Sequence, residues 1–221
     1  MCAIVGSSSA SKFEILYEVN LPRGNFASGV VLLHDYSTQE IMKQEGSFDF
    51  NKDPIFNGAN YYFGHVQAPT SANREWSKDT SHPFIGINWM VMHNGVLTND
   101  KKLKKMVPWD ENPVDTSRIL QLLQAHCNDS VVSKPKDQIN IISSVLSLLE
   151  GSYAVCIVNR DTNNLYIARQ GSVLHYNKKG DFSTLKGKDF IMLEEGVILK
   201  KTPKTWRKAG TFETNSPFIF V

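Results

Sequence analysis

The sequence has few cysteines, no long apolar segment and almost no net charge, and each shortage excludes a class of protein. Its three cysteines, Cys2, Cys127 and Cys156, cannot all pair, and they lack the CxxC spacing of a metal site. No apolar run approaches the roughly 20 residues of a membrane span. The N-terminus has neither the basic start nor the apolar stretch of a signal peptide. We therefore expect a cytoplasmic chain in a reducing setting, with no membrane partner.

The charge balance gives no support for nucleic-acid binding. The chain carries 24 Lys and Arg against 22 Asp and Glu, a net charge of +2. Basic residues do gather late in the chain, where a solvated basic face is favoured over a dedicated anionic-ligand surface. These late residues are Lys178, Lys179, Lys186, Lys188, Lys200, Lys201, Lys204, Arg207 and Lys208.

The order of predicted elements favours an α+β fold. Strand patterns occur in AIVG, GVVLLHD, YYFGHV and INWMVMHNG, and a hairpin is expected within residues 36–60. The spacing Ser11-x-x-Glu14 predicts a capping box before a first helix. DTSRILQLLQAH predicts a second helix, and residues 136–150 a third that Gly151 stops. A strand meander in YAVCIVNR, NLYIAR and SVLHYN follows, then a hairpin in FIMLEEGVILKK. Strands that flank central helices indicate packed layers rather than a strictly alternating parallel sheet.

The position of Cys2 would allow it to act as an N-terminal nucleophile. A small residue after Met1 allows an aminopeptidase to remove the methionine, which would leave Cys2 with a free α-amine. A nucleophilic thiol then lies beside its own base, because an α-amine loses its proton far more readily than a lysine amine. The alternative is that Cys2 is only a small apolar side chain in an edge strand.

Six stretches of sequence occur in an order and spacing typical of one family. They are MCAIVG, RGNFASG, GHVQAPTS, MHNGVLTN, PVDTSRI and GSYAVCIVN. Together they resemble the class II glutamine amidotransferases, which use an N-terminal cysteine. The resemblance runs from Cys2 to about residue 174, and more weakly to about residue 200. It implies one domain over residues 1–221, with 202–221 as a tail, folded as the four-layer αββα sandwich of N-terminal nucleophile hydrolases.

The resemblance also implies a reaction without a cofactor or a metal. A thiol attacks the glutamine carboxamide, ammonia leaves, and water hydrolyses the thioester. By analogy Cys2 is the nucleophile, and the Asn94 amide and Gly95 N–H stabilise the oxyanion. The alternative for Asn94 and Gly95 is an ordinary strand-ending turn, since Asn-Gly is a common turn pair.

The remaining matched residues would hold the cysteine and the substrate. Arg23 would form hydrogen bonds around Cys2, and Asp115 would bind the α-ammonium of glutamine. The alternatives are a surface salt bridge for Arg23 and a simple helix N-cap for Asp115. Thr70 and Ser71 fall where the family contacts its substrate.

One position departs from the family pattern. The motif at GHVQAPTS normally reads GHxR, and its arginine holds the α-carboxylate of glutamine, whereas here the residue is Gln67. An uncharged amide replaces a charged, bidentate donor. Three explanations are open: Arg74 supplies the cation, the substrate lacks a free carboxylate, or the domain binds without turnover.

The function predicted from the sequence is glutamine hydrolysis, with ammonia passed to a partner. Because little sequence follows residue 200, the acceptor enzyme is expected to be a separate synthetase chain. One alternative is a stand-alone amidohydrolase of the same fold that acts on a γ-glutamyl or peptide-like amide. A second is a non-catalytic binding subunit.

Overall fold

Two antiparallel sheets form the centre of the fold in a computed structural model that describes residues 1–35, 38–52, 58–68, 75–127 and 132–215. The strands are β1 (Ala3–Ser7), β2 (Ala27–Leu33), β3 (Gln39–Glu45), β4 (Tyr61–Gln67), β5 (Phe84–Ile85), β6 (Trp89–Leu97), β7 (Gly151–Asn159), β8 (Asn164–Gln170), β9 (His175–Tyr176), β10 (Phe182–Ser183), β11 (Ile191–Met192), β12 (Val197–Lys201) and β13 (Trp206–Thr211). The helices are α1 (Ala10–Asn20), α2 (Asp100–Met106), α3 (Thr116–Ala125) and α4 (Pro135–Leu146), with a 3-10 turn at Leu21–Arg23. None of the helices in these ranges is long and apolar enough to cross a membrane.

The two sheets pack face to face and carry helices on their outer faces. One sheet has the strand order β11-β9-β10-β1-β4-β2-β3, and the other β13-β12-β8-β7-β6-β5. Strand β6 shows how the layers form, because alternate side chains point to opposite faces of a strand. Met90 and Met92 join the core between the sheets, whereas Trp89 and Val91 join the core under the helices. The four-layer α+β sandwich expected from the resemblance is confirmed.

Helices α1 and α3 cover their sheets through regular apolar faces. In α3, Ile119, Leu122 and Leu123 recur at helical spacing and are buried against the six-stranded sheet. On the other side, Phe13 and Tyr17 of α1 pack on the seven-stranded sheet. Both faces of each sheet are therefore covered, which is why the central strands are apolar in nearly every position.

Strand β1 lies inside its sheet and not at an edge. It pairs with β4 on one side, with Ala3 opposite Val66, and with β10 on the other. The interpretation of Cys2 as a residue of an edge strand is therefore wrong. The N-terminus emerges from the middle of a sheet, at the end of β4 that carries Gln67.

Three expected strand pairings differ from the structure. The hairpin expected within 36–60 joins β2 to β3 instead, and residues 53–57 lie outside the described part of the chain. The expected hairpin in FIMLEEGVILKK is wrong, because β11 pairs with β9 in one sheet and β12 pairs with β8 and β13 in the other. The third strand of the expected meander, β9, also lies in the opposite sheet from β7 and β8. Two-residue strands have no periodicity, so their partners are set by tertiary contacts.

Two helix termini also differ from expectation. The N-cap of α1 is Ser9, whose side chain accepts from the backbone N–H of Lys12, and not Ser11. Helix α4 ends at Leu146, and Gly151 begins β7 instead of stopping the helix. Gly151 is needed there because its φ of +124° lies in a region that favours glycine.

The stretch after residue 201 is not a simple tail. Strand β13 pairs with β12 at the edge of the six-stranded sheet. Its first residue, Trp206, is buried between the sheets beside Tyr61 and Phe182. Residues up to Thr211 therefore belong to the sandwich.

Candidate active site

Cys2 lies directly before β1 and is held through its backbone. The Nε of Arg23 donates a hydrogen bond to the carbonyl oxygen of Cys2 at 2.9 Å. Arg23 comes from the 3-10 turn after α1, so its side chain contacts the start of β1 from a neighbouring element. Met1 is 81% exposed, so it is not packed into the fold.

Asn94 and Gly95 lie within β6, so the alternative that they form a strand-ending turn is wrong. Both keep the antiparallel register, with Asn94 opposite Ala154 and Gly95 opposite Tyr153. The Asn94 side chain is buried, and its Nδ2 lies 3.5 Å from Thr184 Oγ1.

Gly95 adopts a backbone conformation that requires glycine. Its φ is +154°, and a Cβ at this position would lie 2.0 Å from the carbonyl oxygen of Ser152 in the adjacent strand. Because no side chain covers it, the backbone of Gly95 lines an open cleft. Glycine is therefore required at position 95 because the adjacent strand leaves no space for a side chain, and not because the chain turns there.

Asp115 precedes α3, but its carboxylate is used differently from an N-cap. The side chain makes no N-cap hydrogen bond, which would come from the N–H of the second or third helical residue. Instead Oδ2 accepts the backbone N–H of Leu97 at 3.0 Å, and Oδ1 lies 3.5 Å from His93 Nδ1. Burial alone would raise the pKa of Asp115, but His93 and the N–H groups of Leu97 and Thr116 outweigh burial and lower that pKa. The carboxylate is thus held ionised beside Gly95 in the same cleft.

Three buried histidines lie behind the cleft, a cluster that the sequence did not reveal. His65 Nε2 lies 2.9 Å from the carbonyl oxygen of His93, and the rings of His65 and His82 stack with centroids 3.8 Å apart. The hydroxyl of Thr116 lies 3.0 Å from His82 Nε2 and 3.1 Å from His93 Nδ1. The cluster therefore connects β4, the segment before β5, and β6 to the start of α3. It sets the position of the residue next to Asp115.

Gln67 ends β4 and lies on the face of that strand that points between the sheets. It is 2% exposed, and its Nε2 lies 3.4 Å from the carbonyl oxygen of Thr80. Gly24 approaches the same strand end so closely that a Cβ there would lie 2.5 Å from Ala68 N. The other residues predicted to contact substrate in this region, Thr70, Ser71 and Arg74, lie outside the described part of the chain.

The cleft beside Gly95 and Asp115 has a volume of about 820 Å³. Three of its side chains are acidic, and Trp76, Val96, Pro113 and Val114 supply an apolar wall. Its described lining residues are Glu75, Trp76, Ser77, Thr80, Gly95, Val96, Asp100, Pro113, Val114 and Asp115. A cleft of this character fits a ligand with a cationic group and an aliphatic stem. In the described ranges, no group of three or more His, Cys, Asp or Glu side chains is arranged to hold a metal ion.

The chain is similar to curated proteins that share one name. The glutamine–fructose-6-phosphate aminotransferase [isomerizing] of Francisella tularensis is 28% identical over 185 residues, which are 79% of this chain and 29% of that protein. The enzyme of the same name from Helicobacter pylori is 25% identical over 237 residues, or 100% of this chain and 39% of that protein. The chain thus spans well under half the length of these curated relatives. No family model matches it.

Solved structures share the fold at lower identity. The glutamine phosphoribosylpyrophosphate amidotransferase from B. subtilis, complexed with ADP and GMP, superposes with a TM-score of 0.72 at 19% identity, over 94% of this chain and 48% of that one. A glutamine aminotransferase class-II domain protein from Silicibacter pomeroyi superposes with a TM-score of 0.58 at 12% identity, over 96% of this chain and 100% of that one. At these identities the superpositions establish the fold alone.

Proposed function

We propose that this chain, which belongs to the class II glutamine amidotransferases, hydrolyses the side-chain amide of glutamine through a thioester on Cys2. The observation that supports the proposal is a chain of contacts that links the elements carrying the three chemical roles. Asn94 Nδ2 in β6 contacts the hydroxyl of Thr184, which also binds the backbone of Ile4, two residues after Cys2. Gly95, the residue after Asn94, lines the same cleft as the ionised carboxylate of Asp115.

The proposed reaction begins once Met1 has been removed. The Cys2 α-amine takes the thiol proton, and Sγ attacks the amide carbon of the substrate. The Asn94 amide and Gly95 N–H donate to the oxyanion of the tetrahedral intermediate. As the intermediate collapses, the carbon–nitrogen bond breaks, and the leaving nitrogen receives the proton and departs as ammonia. Water then attacks the thioester carbon, and glutamate and the Cys2 thiol are released.

Each other residue of the site supports one part of this reaction. Asp115 binds the α-ammonium of the substrate, which sets the distance between that group and the amide carbon. Arg23 fixes the Cys2 carbonyl, so the direction of the first residue does not depend on β1 alone. A reducing cytoplasm, which keeps Cys2 as a thiol, suits this chemistry.

We extend the proposal to ammonia transfer, because the curated relatives are named as aminotransferases. The ammonia would pass to a separate synthetase chain. Residues up to Thr211 belong to the sandwich itself, so the proposal assigns them to glutamine hydrolysis and not to the ammonia-consuming step.

A second candidate substrate is a γ-glutamyl or peptide-like amide whose α-carboxylate is blocked. The observation in its favour is Gln67, which is buried and directed to the Thr80 carbonyl. Among the described lining residues of the cleft, none is basic, so those residues offer no positive charge to a free carboxylate. The comparison of glutamine with its α-amide as substrates, by kcat/KM, separates the two candidates.

The decisive experiment is covalent labelling with 6-diazo-5-oxo-L-norleucine, followed by intact mass and peptide mapping. We expect loss of Met1 and one adduct on Cys2, with labelling prevented by excess glutamine. Cys127 and Cys156 are buried and serve as internal controls. A retained Met1 would contradict the mechanism. A processed Cys2 that reacts with iodoacetamide but not with the glutamine analogue would favour the blocked amide.

A further inference from the structure

Thr184 connects the strand that follows the nucleophile to the strand that carries the proposed oxyanion donor. It comes directly after β10 and is 0% exposed. Its Oγ1 accepts the backbone N–H of Ile4 at 3.0 Å and donates to the Ile4 carbonyl at 3.3 Å. The same oxygen accepts from Asn94 Nδ2 at 3.5 Å. A hydroxyl has one donor and two acceptor sites, so these three contacts use the full hydrogen-bonding capacity of the Thr184 side chain.

This contact crosses the interface between the two sheets. Ile4 belongs to β1 in one sheet, and Asn94 belongs to β6 in the other. Most of the core between the sheets consists of apolar side chains such as Met92, whose packing has no directional preference. A hydrogen bond has a preferred direction, so Thr184 can fix the orientation of Asn94 in a way that the apolar contacts cannot.

The orientation matters because an asparagine amide has two different ends. The last torsion of asparagine is broad and roughly two-fold, so the amide readily exchanges its oxygen and nitrogen. With Nδ2 held at Thr184, one N–H is directed to the hydroxyl and the second remains available to a developing oxyanion. After a flip, Oδ1 would face the negative charge and repel it.

We propose that Thr184 is a positioning residue that orients the Asn94 amide for oxyanion stabilisation. The inference rests on the proposed glutamine or amide hydrolysis. The contact of 3.5 Å in the free protein is long, and hydrogen bonds of this kind often tighten when substrate binds. The effect of Thr184 is therefore expected on turnover and not on substrate affinity.

The test compares Thr184→Val, Thr184→Ser and the wild type, with ammonia release as the assay. Loss of an oxyanion donor typically costs 100- to 1000-fold, and a misoriented donor less, so we expect Thr184→Val to lower kcat roughly 10-fold. KM should stay unchanged. Thr184→Ser keeps the hydroxyl and should restore most of the rate. If Thr184→Val does not fold because the Ile4 N–H has lost its acceptor, Thr184→Ala, which leaves space for a water molecule, serves the same comparison.

Two further measurements distinguish positioning from a general structural role. Alkylation of Cys2 by iodoacetamide forms no oxyanion, so its rate should be unchanged in Thr184→Val, whereas a displaced β1 would change it. In an Asn94→Ala background, Thr184→Val should have no further effect on kcat. The matched control is Ser7→Ala, which removes a buried hydroxyl at the far end of β1 and should leave kcat unchanged.

Failure of the Thr184 inference can be distinguished from failure of the proposed function. An unchanged kcat in Thr184→Val would overturn the inference, as would an equal loss of rate with and without Asn94. If the processed wild-type chain releases no ammonia from glutamine or from its α-amide, the proposed function itself fails, and the inference fails with it.

Discussion

Replacement of Asp115 by asparagine tests how the substrate ammonium is bound. The two side chains have nearly the same shape, and an asparagine oxygen can still accept the Leu97 N–H that Asp115 Oδ2 accepts at 3.0 Å. The end of β6 is therefore expected to stay in place. The change removes the negative charge from the cleft that Gly95 also lines, and it replaces the carboxylate oxygen that lies 3.5 Å from His93 Nδ1.

The expected loss follows from the surroundings of Asp115. Its side chain is 22% exposed, so the carboxylate is largely shielded from water. A hydrogen bond to a charged group is worth about 1.5–3 kcal/mol, which corresponds to roughly a 10- to 150-fold change in an equilibrium constant. We expect KM for glutamine to rise by this factor, with a smaller change in kcat, because the ammonium lies away from the reacting carbonyl.

The assay is steady-state ammonia release, with Asp100→Asn as the matched control. Asp100 lines the same cleft but pairs with the buried Arg118, so its replacement tests the general charge of the cleft. An Asp115→Asn variant whose KM matches that of Asp100→Asn would refute the assignment of Asp115.

The same variant has a pH signature. Since folding lowers the pKa of Asp115, this carboxylate stabilises the native state at pH values above its unfolded pKa. That stability is lost as the pH falls through the lowered folded value. Denaturant melts at successive acid pH values should therefore show that the free energy of unfolding falls less in Asp115→Asn than in the wild type.

Three further variants test other contacts of the fold and site. Gly95→Ala should lower the free energy of unfolding by more than about 2 kcal/mol in urea melts, because its Cβ would lie 2.0 Å from the Ser152 oxygen; wild-type stability would contradict the backbone geometry. Asn94→Ala should slow turnover by about 100-fold or more in a protein that still folds, and near-normal turnover would remove Asn94 from the oxyanion site. Lys43 donates to two backbone carbonyls, and burial lowers its pKa to about 8 despite the opposing effect of Asp79, so native stability should rise between pH 8 and 10.5. Lys43→Met should lack that rise, and an equal rise in both proteins would show that Lys43 is not its source.

The parts of the fold that the sequence predicted are those with a local period. The apolar repeat of α3 and the long apolar strands β2, β4 and β6 are visible in single stretches, because burial of one helix face or of both sheet faces leaves a pattern at short range. The short helix α2 has too few apolar residues to be seen, since only Leu103 of its residues is buried.

The pairings that the sequence missed depend on distant contacts. Strands β9, β10 and β11 have two residues each, so no period exists to read. The chain also changes sheets between β11 and β12, a choice made by the partners and not by the residues at the turn. In β13, the buried Trp206 is followed by the exposed Arg207 and Lys208. These charged residues give no apolar pattern, so the strand at this edge of the sheet could not be predicted from the sequence.

The candidate site divides in the same way. Cys2, Asn94, Gly95 and Asp115 lie in short motifs with a resemblance to a family, so their positions could be predicted. The histidine cluster and Thr184 could not, because each contact joins residues from separate segments with no shared spacing. Thr184 is 180 residues from Ile4 in the chain, yet its hydroxyl forms two hydrogen bonds with that residue's backbone and its own N–H forms a third.

The departure at Gln67 can be understood from where the site residues lie in the fold. The proposed nucleophile and oxyanion donors lie at the start of β1 and within β6, where register, burial and the glycine requirement of Gly95 leave little freedom for change. Gln67 lies at the last position of β4, where the strand meets the segment that carries Trp76, Ser77 and Thr80 along the cleft. Gln67 is paired with Ala27, but strand pairing uses its backbone, so its side chain can change without disturbing that pairing. We therefore expect substrate choice to vary in this fold while its chemistry is retained, which is the pattern that the α-amide comparison measures directly.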